Sequence, residues 1–371
     1  MKKTFILWIL LIFLLTGCGI PQSGGAKPDS AVIYGWQIDE EIEEEEAPDN
    51  SWEFDSPENR GVSRETLEAF HAAIDSVETI YSAVTVKDGY IIDEYYKEGY
   101  DEDYVFRFAS CTKSVSGALI GLAIEHGYLS GVDEKLTEFF EELNEPEQED
   151  KRDITVEHLL THTSGIYWNE WAGGDYFRRF SGSENWVDFV FSQDMSSMPG
   201  TVFNYSTGGS HLLGGVLQEA TGMSAYEFGV EHLFSPMGMD SVKWRSDPQE
   251  ITDAGNGISM TARDAAKFGQ LYLDGGRWKD RQIISQEWVE LSTKRQTAGS
   301  PSTGEHGYSW WLRSFDGYSG FYAMGHGGQY IFAVPELNLV TVMTSRVSDT
   351  YLPQRYFTEY VIAAVVENDD Y

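Results

Sequence analysis

Phe106-Arg107-Phe108-Ala109-Ser110-Cys111-Thr112-Lys113-Ser114 sets a serine and a lysine three residues apart at the start of an apolar, helix-patterned run, Val115 to His126. Positions i and i+3 are neighbours on one helix face, so the Ser110 hydroxyl and the Lys113 amine are within reach of each other. The strand-like Val105 to Ala109 ahead of them places Ser110 at the helix N-terminus, where free N–H groups and the dipole favour developing negative charge. A nucleophilic serine gains most there. Serine also caps ordinary helices and lysine is common in their first turns, so the pair acquires meaning only from partners elsewhere. Cys111 is one helical step, about 100°, round from Ser110 and is expected to pack as a small apolar residue.

Two stretches supply such partners. Pro199-Gly200-Thr201-Val202-Phe203-Asn204-Tyr205-Ser206-Thr207-Gly208 is a loop leading into the apolar helix Leu212 to Ala220. Tyr205 is the candidate base, because a phenol of pKa about 10 serves as one where a cation such as Lys113 favours phenolate. Gly325-His326-Gly327-Gly328-Gln329 interrupts a strand pattern with glycines that let a substrate backbone approach. The N–H of Gln329, with that of Ser110, forms a candidate oxyanion hole. Tyr167, Trp168 and Trp171 follow the Thr163-Ser164-Gly165 turn and suit either an aromatic wall for an apolar acyl chain or the core of the surrounding helices. His158 and His162 stand at i, i+4, yet the zincin pattern needs Glu after the first histidine and Leu159 is there, so no metal is expected. Gly208-Gly209-Ser210-His211-Leu212 fails the last position of a nucleophile elbow, which argues against an α/β-hydrolase fold.

With these motifs the chain resembles the serine hydrolases of the β-lactamase and penicillin-binding-protein superfamily, in their class C-like branch, and within it the esterases and 6-aminohexanoate-dimer hydrolases. The family's Ser-x-x-Lys falls on Ser110 and Lys113, its Tyr-x-Asn on Tyr205-Ser206-Thr207, and its Lys-Thr-Gly on His326-Gly327-Gly328. Leu159-Leu160-Thr161-His162-Thr163-Ser164-Gly165 resembles a further family stretch, and the likeness covers nearly all of the folded part. It implies an α/β, β-lactamase-like fold: an antiparallel sheet flanked by helices and drawn from both chain termini, plus an inserted, mostly helical lobe. It also implies a Ser110 acyl-enzyme with Lys113 and Tyr205 shuttling the proton, substrate contacts from His326, Gly327, Gly328 and Thr207, and no cofactor. Thr207 in place of Asn and His326 in place of Lys remove two groups that orient β-lactams.

Outward from the Ser110 helix, the pattern fits that fold. Ser63 caps a helix carrying Leu67, Phe70, Ile74 and Val77 at helical spacing. Tyr81 to Lys87 and Tyr90 to Tyr96 flank Asp88-Gly89, a strong hairpin signal. About 133–247 is helical and loop-like, the inserted lobe. Thr261 and Asp264 open a helix over Ala265 to Leu273, and another covers Ser285 to Thr293. Strands are expected at Tyr308 to Leu312, Phe321 to Met324, Gln329 to Val334 and Leu339 to Ser345, then a helix over Gln354 to Val366.

At the other end, Met1-Lys2-Lys3, the apolar Phe5 to Leu15 and then Leu15-Thr16-Gly17-Cys18 resemble a bacterial lipoprotein signal, with 1–17 removed and Cys18 lipidated. A Gly/Ser/Pro-rich, then Glu-rich stretch over 18–51 reads as an acidic tether, so that the hydrolase domain, 52–371, stands outside the cytoplasmic membrane. If Cys18 is lipidated, Cys111 has no disulfide partner, since the chain has 2 cysteines. Sixty acidic against 26 basic residues give a net charge of −34, which repels nucleic acid. The leading expectation is a hydrolase of small esters, amides or peptides. The alternatives are a D-alanyl-D-alanine carboxypeptidase or β-lactamase, and a non-catalytic cell-wall binding or sensor protein that kept the fold.

Overall fold

The computed structural model describes residues 49–170 and 174–367. The signal-like stretch, Cys18 and the glutamate run lie outside these residues, as does Trp171. Among the described residues no helix is long and apolar enough to cross a membrane.

A nine-stranded sheet carries the fold: β1 Glu53–Phe54, β2 Ile80–Lys87, β3 Tyr90–Tyr96, β4 Thr297–Ser300, β5 Gly304–His306, β6 Trp311–Phe315, β7 Tyr318–Gly325, β8 Gln329–Val334 and β9 Leu339–Ser345. Their spatial order is β1-β3-β2-β9-β8-β7-β6-β5-β4, antiparallel throughout except for β1 against β3. The seam between the two ends of the chain is β2 against β9, with Val84 opposite Val342. Asp88 and Gly89 take left-handed φ of 53° and 83° in the β2–β3 turn, as the Asp-Gly pair requires.

β8 shows why this end of the sequence reads as unbroken apolar runs. Ile331 and Ala333 enter one core, while Tyr330, Phe332 and Val334 enter the other, so both faces are covered. One core lies under α1, Arg64–Asp75, and the C-terminal helical segment 352–366. Phe332 stacks there on Phe357 at 4.2 Å. α1 begins at Ser63, whose side chain accepts from Thr66 N–H, and buries Leu67, Phe70 and Ile74. The second core lies between the sheet and α2, Thr112–Glu125, α3, Thr207–Thr221, and α4, Ala262–Leu273. Every residue of α2 from Thr112 to Ala123 is buried, which explains its nearly continuous apolar pattern.

Among the described residues between Tyr96 and Thr297 no strand joins the large sheet, and this interval holds the short helices of the lobe together with α2, α3 and α4. A small sheet inside it pairs Phe106–Arg107 and Lys243–Trp244 with Ile258–Met260. At the expected boundary, Asn50 accepts from the Trp278 indole at 3.1 Å and Trp52 donates to the Arg263 carbonyl at 3.1 Å. Of the expected strand Tyr308 to Leu312, only Trp311 and Leu312 lie in one. Ser309 has φ 61° and its N–H donates to the Leu160 carbonyl, so pairing begins only at Trp311. β4 and β5, missed in the sequence, are short and polar, Thr-Ala-Gly-Ser and Gly-Glu-His, with no alternation to read.

Candidate active site

Ser110 sits in a single helical turn, Ala109–Cys111, that runs directly into α2. The turn is entered through Ala109 at φ 47°, a left-handed conformation that costs a non-glycine residue about 1–2 kcal/mol. The neighbours hold it. Phe108 N–H donates to Ile258 O at 3.1 Å, and Cys111 N–H donates to Phe108 O at 3.1 Å. Cys111 is fully buried with its thiol 3.6 Å from the Gln329 carbonyl, and burial pushes that thiol well up, so it packs as expected and is no nucleophile.

Lys113 lies one turn on and is 2% exposed. Its Nζ donates to Ser110 Oγ at 3.1 Å, Thr207 Oγ1 at 3.0 Å and the Gly255 carbonyl at 2.7 Å. Burial pushes the amine down to about 8, against the opposing pull of the Glu170 and Asp253 carboxylates. Asp253 also shapes the loop beneath the amine, accepting from Gly255 N–H at 3.2 Å and Asn256 N–H at 3.0 Å. A Cβ on Gly255 would lie 2.7 Å from the Thr207 carbonyl, so the loop approaches α3 in a way only glycine permits.

Tyr205 comes to the same place from the loop before α3, its ring 4.9 Å from Lys113 Nζ. Burial, and then the charge of Glu170, push its phenol far above the ordinary range, while a hydrogen bond with Ser110 works the other way. Both directions run against the expected phenolate: burial makes the amine easier to deprotonate and the phenol harder. The ring stacks on Trp311 at 5.6 Å and rests against His162 at 4.5 Å. His162 takes left-handed φ of 56° and knits the Leu159–Gly165 stretch to the tyrosine loop: its carbonyl accepts from Asn204 N–H at 2.7 Å, and its Nδ1 accepts from Ser206 N–H at 3.3 Å. Ser206 in turn caps α3 through Gly209 N–H. His158 is occupied elsewhere, accepting from Thr155 N–H at the start of its own short helix. Among the described residues no group of three or more His, Cys, Asp or Glu side chains is arranged to hold a metal.

Two of the expected substrate contacts are placed differently. Thr207 is 1% exposed, with its hydroxyl accepting from Lys113 and donating to Glu170 Oε1 at 2.7 Å, so its one proton is committed and the group is buried. Trp168 is 3% exposed and lies in the lobe core against Tyr176 and Phe180, its ring so close to Gly208 that a Cβ there would be 2.2 Å away. Tyr167 is exposed. Sequence reasoning missed Glu170. A short polar residue at the Asn position of the tyrosine motif, buried beside a lysine, needs a partner for its hydroxyl, and that was the available signal.

The glycine stretch forms the β7–β8 turn. Gly328 N–H donates to Gly325 O at 3.1 Å, and Gly327 and Gly328 have φ of 85° and 86°. Ser345 Oγ donates toward both carbonyls of the turn, Gly327 O at 2.7 Å and Gly328 O at 2.8 Å. The turn abuts Ser110's: besides the contact of Cys111 with Gln329 O, a Cβ on Gly325 would lie 2.3 Å from Phe108 O. The Gln329 side chain is bonded to Ser345 at both its amide ends. His326 projects at the tip and is exposed. Concavities of about 380 and 470 Å³ occur elsewhere on the surface, lined by none of these residues, so chemistry rather than volume marks the site.

The sequence profile described as Beta-lactamase matches residues 67–361. The chain belongs to the Beta-lactamase family. It is a β-lactamase-related serine hydrolase with the mixed α/β fold of that family. It is 24% identical to penicillin-binding protein 4 of Amycolatopsis lactamdurans over 65% of this chain and 72% of that protein. It is 23% identical to the 6-aminohexanoate-dimer hydrolase of Paenarthrobacter ureafaciens over 69% of each. A shorter match, 32% identical, covers 37% of this hydrolase and 38% of an esterase from Burkholderia gladioli. Among solved structures, the octameric penicillin-binding protein homologue from Pyrococcus abyssi superposes with a TM-score of 0.65 at 23% identity, covering 82% of this chain and 76% of that one. A D-stereospecific amidohydrolase from Streptomyces gives 0.64 at 17% identity, covering 80% and 97%.

Proposed function

We propose that this hydrolase cleaves small esters or amides through an acyl-enzyme on Ser110, with Lys113 as the general base. The observation that carries the reading is the Ser110 hydroxyl 3.1 Å from a buried amine whose pKa is pushed down to about 8. Neutral Lys113 takes the Ser110 proton as Oγ bonds to the substrate carbonyl carbon. The oxygen of that carbonyl becomes an oxyanion, received by the N–H groups of Ser110 and Gln329. Tyr205 protonates the departing alkoxide or amine and recovers a proton from the Lys113 ammonium. In the second half a water attacks the acyl carbon, gives its proton to Lys113 and releases the acid, with Ser110 reprotonated. The substrate contacts are the Gly327–Gly328 main chain, His326 and the exposed Tyr167. The esterase and 6-aminohexanoate-dimer hydrolase among the relatives support this substrate class.

The test compares kcat/KM for p-nitrophenyl butyrate and nitrocefin on the full chain in mild detergent, with fluorophosphonate labelling of the parent and of Ser110→Ala. Ester turnover well above nitrocefin turnover, with labelling lost in Ser110→Ala, is expected. Labelling of Ser110→Ala at the parent level overturns the nucleophile. Nitrocefin turnover equal to or faster than the ester's favours the β-lactamase alternative.

The reading extends to location: a bacterial lipoprotein anchored through Cys18, with the acidic stretch as tether. Acyl chains supply about 0.8 kcal/mol per buried CH₂. Cys18→Ser is expected to abolish lipid labelling and shift the protein out of the membrane fraction, and unchanged fractionation with no lipid on the parent refutes it.

A further inference from the structure

Three acceptors surround Lys113 Nζ: Ser110 Oγ, Thr207 Oγ1 and Gly255 O. An ammonium donates to all three. A neutral amine has two N–H bonds and one lone pair, so one of the three partners must turn round and donate to it. The Gly255 carbonyl has no proton to give. Both hydroxyls have one, and if Thr207 gives its own, the lone pair is occupied and Ser110 is not activated.

Glu170 decides between them. Its carboxylate is fixed by Thr207 N–H at 3.0 Å and Trp168 Nε1–H at 2.5 Å on Oε2, and it takes the Thr207 hydroxyl proton on Oε1 at 2.7 Å. A carboxylate only accepts, so the Thr207 hydroxyl must donate to Glu170 and can only accept from Lys113. We propose that Glu170 is a positioning residue for acyl transfer: by holding the Thr207 proton it aims the lone pair of neutral Lys113 at the Ser110 hydroxyl. The inference rests on the reading of Lys113 as base toward Ser110. Its sequence trace is the Thr at the third position of the tyrosine motif, where a hydroxyl and a carboxylate together supply an acceptor of fixed direction.

Glu170→Gln tests it, because the amide reverses the bond. Oε2 faces two N–H donors, so the amide oxygen settles there and the NH₂ group faces Thr207 Oγ1, turning the Thr207 proton toward Lys113. Two changes of opposite sense are expected in the pH profile of fluorophosphonate acylation. The plateau rate falls roughly 10- to 100-fold, the scale of acid–base contributions. The acid limb moves to lower pH, because a carboxylate that held the proton on Lys113 is gone. Asp253, Cys111, Tyr205, His162 and His306 also face Lys113 and are unchanged in the variant, so the movement reports Glu170. A loss of packing alone scales the profile without moving its limb.

Thr207→Val gives the second arm. It removes the hydroxyl that Glu170 orients, so it is expected to lose a similar factor and to make Glu170→Gln nearly silent in plateau rate, though not in limb position, in the double variant, while Thr207→Ser stays within about threefold of the parent. Should Glu170→Gln fail to fold, a Thr207→Val variant as fast as the parent overturns the proposal by itself. An unmoved limb with a plateau within about twofold in Glu170→Gln overturns it too, as do fully multiplicative losses in the double variant. Ser110→Ala separates the two levels. If it is dead while Glu170→Gln behaves like the parent, the positioning role alone fails; if it still acylates, the reading beneath it fails.

Discussion

On the lobe side of the Ser110 turn, Lys113 and Thr207 are almost wholly buried, and Glu170 joins them in a network where each polar group has a named partner. On the sheet side, the β7–β8 turn presents main chain and an exposed histidine, and its side-chain bonds are spent internally between Gln329 and Ser345. The first region is dry and charge-tuned, so the same groups that pack it also set proton affinities. The second approaches Ser110 through glycine contacts and carries little fixed charge. If, as proposed, the first region serves proton transfer and the second substrate selection, substitutions in the two should have different signatures: pH-dependent losses on one side, substrate-dependent changes on the other.

The largest effect is expected for the group both regions surround. Ser110→Ala should lower ester turnover roughly 10⁴-fold or more, the loss seen when a covalent nucleophile is removed, whatever the substrate. A residual rate within about tenfold of the parent would end the comparison, since neither region would then serve Ser110.

Next come the buried groups. Lys113→Ala should cost about 10²- to 10⁴-fold and Tyr205→Phe about 10²-fold. In the parent, kcat/KM should rise as pH increases through about 8, because the amine acts as base only once deprotonated and its folded pKa lies there rather than near the usual 10.4. Had phenolate been the base, the rise would lie far higher, since burial pushes Tyr205 upward. A pH profile of acylation from pH 6 to 10 separates the two, and a rise only near the upper end would restore Tyr205 as base.

The sequence made the motifs legible because each depends on local spacing. Ser110 and Lys113 are one helical turn apart, Ser63 and Thr261 announce their helices, and Asp88-Gly89 its hairpin. What it hid depends on burial. Desolvation is a property of the packed lobe, so nothing in Tyr205 or Lys113 alone tells which of the two would give up its proton more easily. Thr207 read as a poorer ligand for substrate, whereas Glu170, 37 residues away, consumes it. Trp168 met both descriptions offered for it, wall or core, and the close approach of Gly208 decides for core. Even Asp316-Gly317, with φ of 48° and 94°, was available as a second Asp-Gly hairpin and would have moved the start of β7 back to Tyr318.

A smaller effect should follow from disturbing the contact between the regions. Gly325→Ala places a methyl 2.3 Å from the Phe108 carbonyl, so the β7–β8 turn must move away from the Ser110 turn. A loss of roughly 10- to 100-fold in kcat is expected, the scale of misplacing a positioned group by about an ångström. The acid limb should stay in place, because Lys113 and its partners are untouched. A displaced limb would mean that the two regions are coupled through more than backbone contact.

The smallest effect concerns His326 and would show selectivity without chemistry. A lysine at this position would put a compact, fully charged ammonium where the imidazole now stands. The side chain is exposed, so a cation at this position gains only the modest energy of a solvated ion pair with an anionic substrate, about 0.2–1 kcal/mol. That converts to a few-fold at most. His326→Lys should therefore raise kcat/KM for nitrocefin, which carries a carboxylate, by roughly twofold to fivefold at low salt. The gain should shrink at 0.5 M NaCl, where the Debye length falls to a few ångströms. For p-nitrophenyl butyrate, which has no charge to meet, the value should stay within about twofold, and the pH limb set by Lys113 should not move. If the ester and nitrocefin rates instead change together, or the limb shifts with the new cation, His326 acts on the proton chemistry, and the division between the buried and exposed regions does not hold.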